Sequence, residues 1–183
     1  MVIRTLVLGG ARSGKSRHAE ALAAATGKEV IYLATAHAGD SEMADRIERH
    51  RAERNPAWRT VEEMRALGDM IAEWSAPHRV VLVDCLTVWL SNLLFAQDQV
   101  YPEIGLITPP ACFTTERAQL LQALDAANGE LILVANEVGL GIIPQGAISR
   151  WFVDEAGRLN QALAARCQRV VFVAAGLPLA LKG

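Results

Sequence analysis

The sequence has few cysteines, little net charge and no long apolar run, and each absence excludes a class of protein. Cys85, Cys112 and Cys167 are odd in number and lack CxxC or histidine-paired spacing, which argues against a disulfide framework or a zinc site. The formal net charge is only −2, so the broad basic surface of a nucleic-acid-binding protein is missing. No run approaches the roughly 18 apolar residues that a membrane span requires.

The amino terminus also lacks the features of a secretory signal. Residues 1–8 run directly into a glycine-rich loop instead of a signal-peptide cleavage site. Together with the unpaired cysteines, this predicts a cytoplasmic protein in a reducing compartment. The 183 residues, of which 51% are apolar and 21% charged, exclude disorder and suit one domain spanning residues 1–183.

Short apolar runs alternate with helical patterns along the chain. Runs rich in branched residues predict buried strands at 3–8, 30–34, 80–83, 131–135 and 170–174. Helical periodicity predicts helices at 15–25, 41–54, 62–74, 87–95, 115–127 and 148–166. This alternation predicts an α/β fold with a mainly parallel central sheet and helices on both faces. Residues 97–112 carry prolines without any period, which is typical of a lid, an interface or a disordered loop.

A phosphate-binding loop is the clearest chemical signal in the sequence. GGARSGKS at residues 9–16 fits G-x-x-x-x-G-K-[ST], and it follows a predicted strand and opens a predicted helix. Its glycines let backbone N–H groups approach phosphate, and the helix adds the positive end of its dipole. The alternative is a glycine turn with an exposed lysine. The predicted nucleotide-binding residues are Gly9, Gly10, Ala11, Arg12, Ser13, Gly14, Lys15 and Ser16.

Three side chains are expected to act directly on phosphate or metal. Lys15 is expected to reach the β- and γ-phosphates, and the Ser16 hydroxyl suits Mg²⁺, which prefers oxygen ligands. Asp84 ends the apolar run at 80–83, where a P-loop enzyme carries its metal-binding acid. The alternative for Asp84 is that it caps the helix that begins near Thr87.

The predicted helix at 41–54 places a histidine between arginines. Arg46, His50 and Arg54 are four residues apart, so they form one line on the helix, with Arg49 and Arg51 beside it. Such a cluster favours polyphosphate, and the neighbouring cations favour a neutral imidazole, the form that a nitrogen nucleophile needs. The alternative is a solvated helix whose arginines pair with nearby glutamates.

The other histidines have weaker claims. His18 lies on the helix after the phosphate loop, where it packs or faces solvent, and His78 follows Pro77 in a turn. His37 follows the end of a predicted strand and is the better candidate for lining a site.

Further candidates follow the ends of predicted strands, where ligands gather in open α/β sheets. Ala34, Thr35 and Ala36 follow the second predicted strand, and the segment 136–144 follows the fourth with an amide, a carboxylate and two glycines. Glu62 is a candidate acceptor for a ribose hydroxyl or, alternatively, caps the helix that it begins.

These segments together resemble the bifunctional adenosylcobinamide kinase / adenosylcobinamide-phosphate guanylyltransferase family of cobalamin biosynthesis. The resemblance rests on six motifs: GGARSGKS at 9–16, YLAT at 32–35, EMADRIERHR at 42–51, WRTVE at 58–62, NEVGLGIIP at 136–144 and AGRLNQALA at 156–164. Many P-loop enzymes share the first motif, whereas few share the rest. The resemblance extends from residue 9 to the carboxyl-terminal strand.

The resemblance implies two reactions in a P-loop NTPase-like fold. One is phosphorylation of the aminopropanol hydroxyl of adenosylcobinamide by ATP or GTP. The other is transfer of GMP from GTP to that phosphate through a guanylylated histidine, which His50 matches. By the same resemblance Lys15 is catalytic, Ser16 and Asp84 hold Mg²⁺, and the remaining nucleotide contacts are Ala34, Thr35, Ala36, Arg51, Ala52, Glu53, Arg54, Glu62 and Asp84.

The resemblance also implies partners and an assembly. The substrates are adenosylcobinamide and its phosphate, and relatives assemble as trimers. The residues themselves leave two other functions open. One is a P-loop small-molecule kinase that forms no covalent nucleotide. The other is a nucleotide-dependent switch whose loops at 97–112 and 136–144 move on hydrolysis.

Overall fold

The computed structural model describes residues 2–36, 48, 54–96 and 99–183 of the chain. Its strands are β1 (Arg4–Gly9), β2 (Glu29–Ala34), β3 (Arg59–Glu62), β4 (Arg79–Asp84), β5 (Glu130–Asn136), β6 (Arg169–Ala174) and β7 (Leu177–Lys182). Its helices with defined bounds are α1 (Lys15–Ala25), α2 (Leu67–Trp74), α3 (Leu86–Leu94), α4 (Ala111–Ala126) and α5 (Ala147–Arg166).

All the strands lie in one sheet, in the order β3-β2-β4-β5-β1-β6-β7. The first six pair in parallel, and β7 pairs antiparallel with β6 at one edge. Parallel pairing puts the carboxyl ends of β1 to β6 at the same edge of the sheet. The mainly parallel α/β fold predicted from the sequence is therefore confirmed.

Apolar side chains cover both faces of the sheet. On one face, α2, α3, α4 and α5 pack with the sheet around fully buried residues such as Leu33, Trp89 and Leu133. On the other face, Ala19 and Ala23 of α1 pack against the central strands. Helices therefore lie on both faces, as predicted. In the described part of the chain, no helix combines the length and the apolar character needed to cross a membrane.

The predicted strands match the structure at five places, and two strands were not predicted. The bounds of β1, β2, β4, β5 and β6 agree with the predictions to within one residue at each end. β3 has one apolar residue, Val61, and only pairing with β2 reveals it as a strand. β7 is exposed along its whole length, and it follows a turn in which Ala175 and Gly176 have φ angles of 51° and 78°.

The helix predicted at 62–74 is wrong over its first turn. Residue 62 ends β3, and the Glu63 carboxylate accepts hydrogen bonds from the N–H groups of Arg65 and Ala66 at 2.8 and 2.9 Å. This turn delays the start of α2 to Leu67. The helix predicted at 115–127 begins earlier, at Ala111, so the irregular stretch ends at residue 110. The helix predicted at 41–54 falls almost entirely outside the described residues.

The contact between α2 and α4 generates a stability prediction. A Cβ atom built on Gly68 lies 2.8 Å from the backbone carbonyl carbon of Gln119. The Gly68→Ala variant is expected to lower the free energy of unfolding by about 1–3 kcal/mol, because the added carbon overpacks the contact. Urea unfolding measures the difference.

Gly157 is the matched control for that substitution. It lies within α5, and a Cβ atom there meets nothing within 4 Å. Gly157→Ala is expected to raise the free energy of unfolding by up to about 1 kcal/mol, since alanine favours a helix over glycine. A Gly68→Ala protein as stable as wild type contradicts the close packing of α2 on α4.

Candidate nucleotide-binding site

The loop at 9–16 connects β1 to α1, and its glycines are needed where they stand. A Cβ atom on Gly9 lies 2.5 Å from both the Ser13 hydroxyl oxygen and the Val173 carbonyl oxygen. Gly14 has a φ of +92° and precedes the first residue of α1. Both positions exclude other side chains. The loop therefore has the strand–loop–helix setting predicted for a phosphate-binding site.

Lys15 folds back over this loop. Its side chain is 8% exposed, and its ammonium group donates a hydrogen bond to the Gly10 carbonyl oxygen at 3.1 Å. The reading of an exposed lysine on a glycine turn is therefore wrong. Ser16 follows in the first turn of α1, where helix N–H groups and the helix dipole favour an anion.

Three predicted site residues form a row across neighbouring strands. Ala34 at the end of β2 pairs in register with Glu62 of β3 on one side and with Asp84 of β4 on the other. Parallel strands lie about 4.8 Å apart, so Asp84 is about 10 Å from the strand of Gly9, and Glu62 is about 19 Å from it. Glu62 ends a strand, so the reading in which it caps a helix is wrong.

Asp84 forms a cluster with Tyr32 and Arg54, in which Tyr32 is buried and the other two residues are partly buried. The Tyr32 hydroxyl donates a hydrogen bond to Asp84 Oδ2 at 2.9 Å. The guanidinium carbon of Arg54 lies 3.7 Å from the centre of the Tyr32 ring. The helix after Asp84 is capped at Cys85 without a side-chain hydrogen bond, so the capping alternative for Asp84 is wrong. The cluster brings three segments of the chain to one point at the end of β4.

Burial and charge keep Tyr32 a hydrogen-bond donor. Its side chain is 1% exposed, and burial, followed by the negative charge of Asp84, raises the pKa of Tyr32 well above its usual range. Arg54 acts against this shift without reversing it. The phenol therefore stays protonated at physiological pH, and its proton always faces the Asp84 carboxylate.

Lys15 and Asp84 both affect the pKa of Cys85. Burial and the Asp84 charge raise the pKa of the Cys85 thiol, and Lys15 partly opposes them. The fold thus brings the lysine of the loop and the carboxylate of β4 within electrostatic reach of one thiol. These two residues are the pair that the sequence predicts around nucleotide phosphates.

Thr35 uses its polar groups within the protein. Its hydroxyl donates to the Cys85 carbonyl oxygen at 2.8 Å and accepts from the Cys85 N–H at 2.9 Å. Its carbonyl oxygen accepts from the Asn92 amide at 2.8 Å, and its side chain is fully buried. Thr35 therefore connects the loops that follow β2 and β4, and its hydroxyl group has hydrogen-bond partners within the protein.

Several predicted site residues fall outside the described part of the chain. These are His50, Arg51, Ala52 and Glu53, and also His37. Arg54 is described, and it lies on Tyr32. His78 precedes β4 at the opposite edge of the sheet and lies 3.8 Å from Glu29, so it is far from the site.

Tyr32 is the site residue that sequence reasoning missed. It appeared there only as part of the YLAT motif and received no role. The available signal was a phenol within an otherwise aliphatic strand, two residues before the strand ends. Buried tyrosines usually bond their hydroxyl to a partner, so such a position indicates a polar neighbour.

Comparisons with known proteins extend these observations. The chain is 52% identical over 181 residues to the bifunctional adenosylcobalamin biosynthesis protein CobP of Pseudomonas aeruginosa. This alignment covers 99% of this chain and 98% of that relative. It is 42% identical over 179 residues to the bifunctional adenosylcobalamin biosynthesis protein CobU of Escherichia coli, covering 97% and 98%.

A solved structure supports the fold. A prototypical ATPase from the type III secretion system of pathogenic bacteria aligns with a TM-score of 0.52 at 10% identity, over 97% of this chain and 56% of that one. This likeness shows a P-loop NTPase-like fold and nothing finer. A family model described as cobinamide kinase / cobinamide phosphate guanyltransferase matches residues 5–181. On this match and the two close relatives, the chain belongs to the cobinamide kinase / cobinamide phosphate guanyltransferase family.

Proposed function

We propose that one nucleotide site in this chain serves two reactions. In the first, the γ-phosphoryl group of ATP or GTP moves to the aminopropanol hydroxyl of adenosylcobinamide. In the second, GMP moves from GTP to the new phosphate and pyrophosphate leaves. Membership of the family supports both reactions, and relatives named as bifunctional match nearly the whole chain.

The loop at 9–16 holds the phosphates in this proposal. Its backbone N–H groups and the start of α1 face the anion, and Lys15 neutralises the charge that develops on the transferred group. The position of Lys15 over the loop supports this role, because its ammonium group lies against the Gly10 carbonyl oxygen of the loop itself. Phosphate oxygens are stronger acceptors for it than that carbonyl.

His50 is the nucleophile of the second reaction. The observation that carries this proposal is the position of Arg54, whose guanidinium group lies on Tyr32 beside Asp84. Four residues of chain reach at most about 14 Å, so the distance in sequence from Arg54 allows His50 to reach the proposed metal and phosphate site. Within the described residues, Arg54 Nε is buried without a hydrogen-bond partner, which suits an incoming phosphate oxygen.

The covalent route divides guanylyl transfer into two balanced displacements. A neutral imidazole nitrogen attacks the α-phosphorus of GTP, the bond to the bridging oxygen breaks, and pyrophosphate leaves while the imidazole proton passes to solvent. A phosphate oxygen of cobinamide phosphate then attacks that phosphorus, and the nitrogen–phosphorus bond breaks; its electron pair stays on the nitrogen, and the ring regains a proton from solvent and is neutral again. The phosphoramidate retains a high transfer potential, so the second displacement needs no further activation.

The residues at the site fit Mg²⁺. Ser16 and Asp84 provide a hydroxyl and a carboxylate, and Mg²⁺ is usually held by one or two carboxylates together with phosphate oxygens and water. When bound, the ion offsets negative charge on the phosphates. The Tyr32 hydroxyl donates to Asp84 Oδ2, which fixes the orientation of the carboxylate.

Assembly as a trimer is part of the proposal. Exposed apolar side chains support an assembly: Leu177, Leu179 and Leu181 of β7 are 72%, 61% and 57% exposed. Contiguous apolar surface of this kind marks protein contacts. The cytoplasmic location stays a prediction of the sequence.

The covalent intermediate can be tested directly. Wild type and His50→Ala are incubated with Mg²⁺ and GTP labelled at the α- or the γ-phosphate. We expect only the α-label to remain on wild type, stable in alkali and lost in acid, and neither label to remain on the variant. Wild-type protein that binds GTP without retaining α-label contradicts the proposal and favours the kinase that forms no covalent nucleotide.

Tyr32→Phe tests how Asp84 is positioned. The variant keeps the ring under Arg54 and loses the hydrogen bond to the carboxylate. A hydrogen bond to a charged group contributes about 1.5–3 kcal/mol, so we expect roughly a tenfold rise in the Mg²⁺ concentration required. The measurement is the Mg²⁺ concentration at which a methylene-bridged GTP analogue gives half its maximal rise in Tm.

Tyr101→Phe is the matched control, since Tyr101 is the only other tyrosine in the sequence. Its hydroxyl donates to the Leu94 carbonyl oxygen, away from the site. This variant is expected to keep the wild-type Mg²⁺ requirement. An equal requirement in both tyrosine variants and wild type contradicts the positioning role of Tyr32.

A further inference from the structure

The segment at 136–144 has no part in the nucleotide site described so far, yet it begins beside the phosphate-binding loop. β5 lies between β1 and β4 in the sheet. Asn136 pairs in register with Gly9, and the Glu137 N–H donates a hydrogen bond to the Gly9 carbonyl oxygen at 3.1 Å. Glu137 is therefore one strand from the loop, whereas Asp84 is two strands from it.

Neutral donors orient the Glu137 carboxylate. The side-chain amide of Asn160 on α5 lies 3.4 Å from Glu137 Oε2, and the Gly139 N–H donates to Oε1 at 3.3 Å. The same Asn160 amide donates to the Asn136 carbonyl oxygen at 3.3 Å, and Asn160 is 6% exposed. These two contacts orient the carboxylate. An oriented carboxylate of this kind is suited to accept a proton.

Asn136 supplies an independent sign that a ligand binds here. Its N–H donates to the Thr87 hydroxyl at 2.7 Å, which fixes the backbone. Its Oδ1 atom is buried, and no donor among the described residues reaches it. Buried acceptors are rarely left unpaired, because the lost hydration costs free energy. The unpaired oxygen therefore suits a hydrogen-bond donor on a molecule that enters beside the loop.

The two reactions of the family differ in the nucleophile that they use. An alcohol must lose a proton as it attacks the γ-phosphorus, whereas the phosphate that receives GMP is already ionised at neutral pH. Only the first reaction needs a base near the loop. Of the carboxylates at this edge of the sheet, Asp84 is bound by Tyr32 and Glu62 lies four strands from β1.

We propose that Glu137 is the general base of phosphoryl transfer to cobinamide, and that Asn136 accepts a hydrogen bond from the same arm of the substrate. The assignment rests on the nucleotide site proposed above. The hydroxyl oxygen attacks the γ-phosphorus, and the bond between that phosphorus and the bridging oxygen breaks. The electron pair leaves with the nucleoside diphosphate, and the hydroxyl proton passes to Glu137 and then to solvent.

The two activities of one protein provide the test. Wild type, Glu137→Gln and Glu137→Asp are assayed for γ-phosphoryl transfer to adenosylcobinamide and, separately, for GMP transfer from GTP to adenosylcobinamide phosphate. Glu137→Gln is expected to lower kcat of the first reaction by about 100-fold or more, the usual contribution of a general base. GMP transfer is expected to stay within about threefold of wild type, since that reaction needs no base.

A pH profile separates a base from a merely structural residue. The kcat of phosphoryl transfer by wild type and Glu137→Asp is expected to fall toward acidic pH, because a protonated carboxyl group is not a base, and Glu137→Gln is expected to lose this dependence. Glu73→Gln, on the exposed surface of α2, is the matched control and is expected to change neither reaction.

Each failure points to one assignment. Equal losses in both reactions for Glu137→Gln, or no loss in either, overturn the role of Glu137 as base. Absence of the α-label on wild type overturns the proposed covalent route through His50, whatever Glu137→Gln does. If Glu137→Gln loses phosphoryl transfer but still retains the α-label from GTP, the result supports Glu137 as the base and shows that the variant is folded.

Discussion

The parallel pairing of β1 to β6 is the constraint on which the site depends. Parallel strands end at one edge, so loops that are distant in sequence meet there. Gly9, Ala34, Asp84 and Asn136 each end a strand, and the register pairs Gly9 with Asn136 and Ala34 with Asp84. The core behind these strand ends is apolar on both faces, which lets the strand ends carry polar groups without weakening the sheet.

The cluster of Tyr32, Asp84 and Arg54 shows how polar groups are tolerated against that core. Burying a carboxylate costs free energy unless donors or cations compensate it. The Tyr32 hydroxyl supplies a donor to the carboxylate, and the Arg54 guanidinium group interacts favourably with the face of the Tyr32 ring. Because the phenol stays protonated, the arrangement does not change with physiological pH. An oriented carboxylate suits the Mg²⁺ site proposed above, since Mg²⁺ demands near-ideal geometry.

One phosphate-binding site can serve both proposed reactions, because both begin with a nucleoside triphosphate held at its phosphates. The reactions differ in which phosphorus is attacked and in what attacks it. The sheet offers a different group for each need: the segment ending at Arg54 on the β2 side, and Glu137 on the strand next to the loop. Under the two proposals, β4 and the phosphate loop serve both reactions, and His50 and Glu137 each act in only one of them.

The sequence by itself determined the parts that local patterns encode. The glycine pattern at 9–16, the branched apolar runs and the acid after 80–83 report backbone conformation and burial, and these are properties of short segments. Tertiary structure decided the rest. β3 is a strand only because β2 pairs with it, and Glu62 therefore ends a strand instead of starting a helix. β7 has no buried residue, so its sequence has no apolar pattern of a buried strand by which it could be predicted. The contacts of Tyr32 with Asp84, and of Glu137 with Asn160, join residues 52 and 23 positions apart. No local pattern carries such pairings, because only packing brings those residues together.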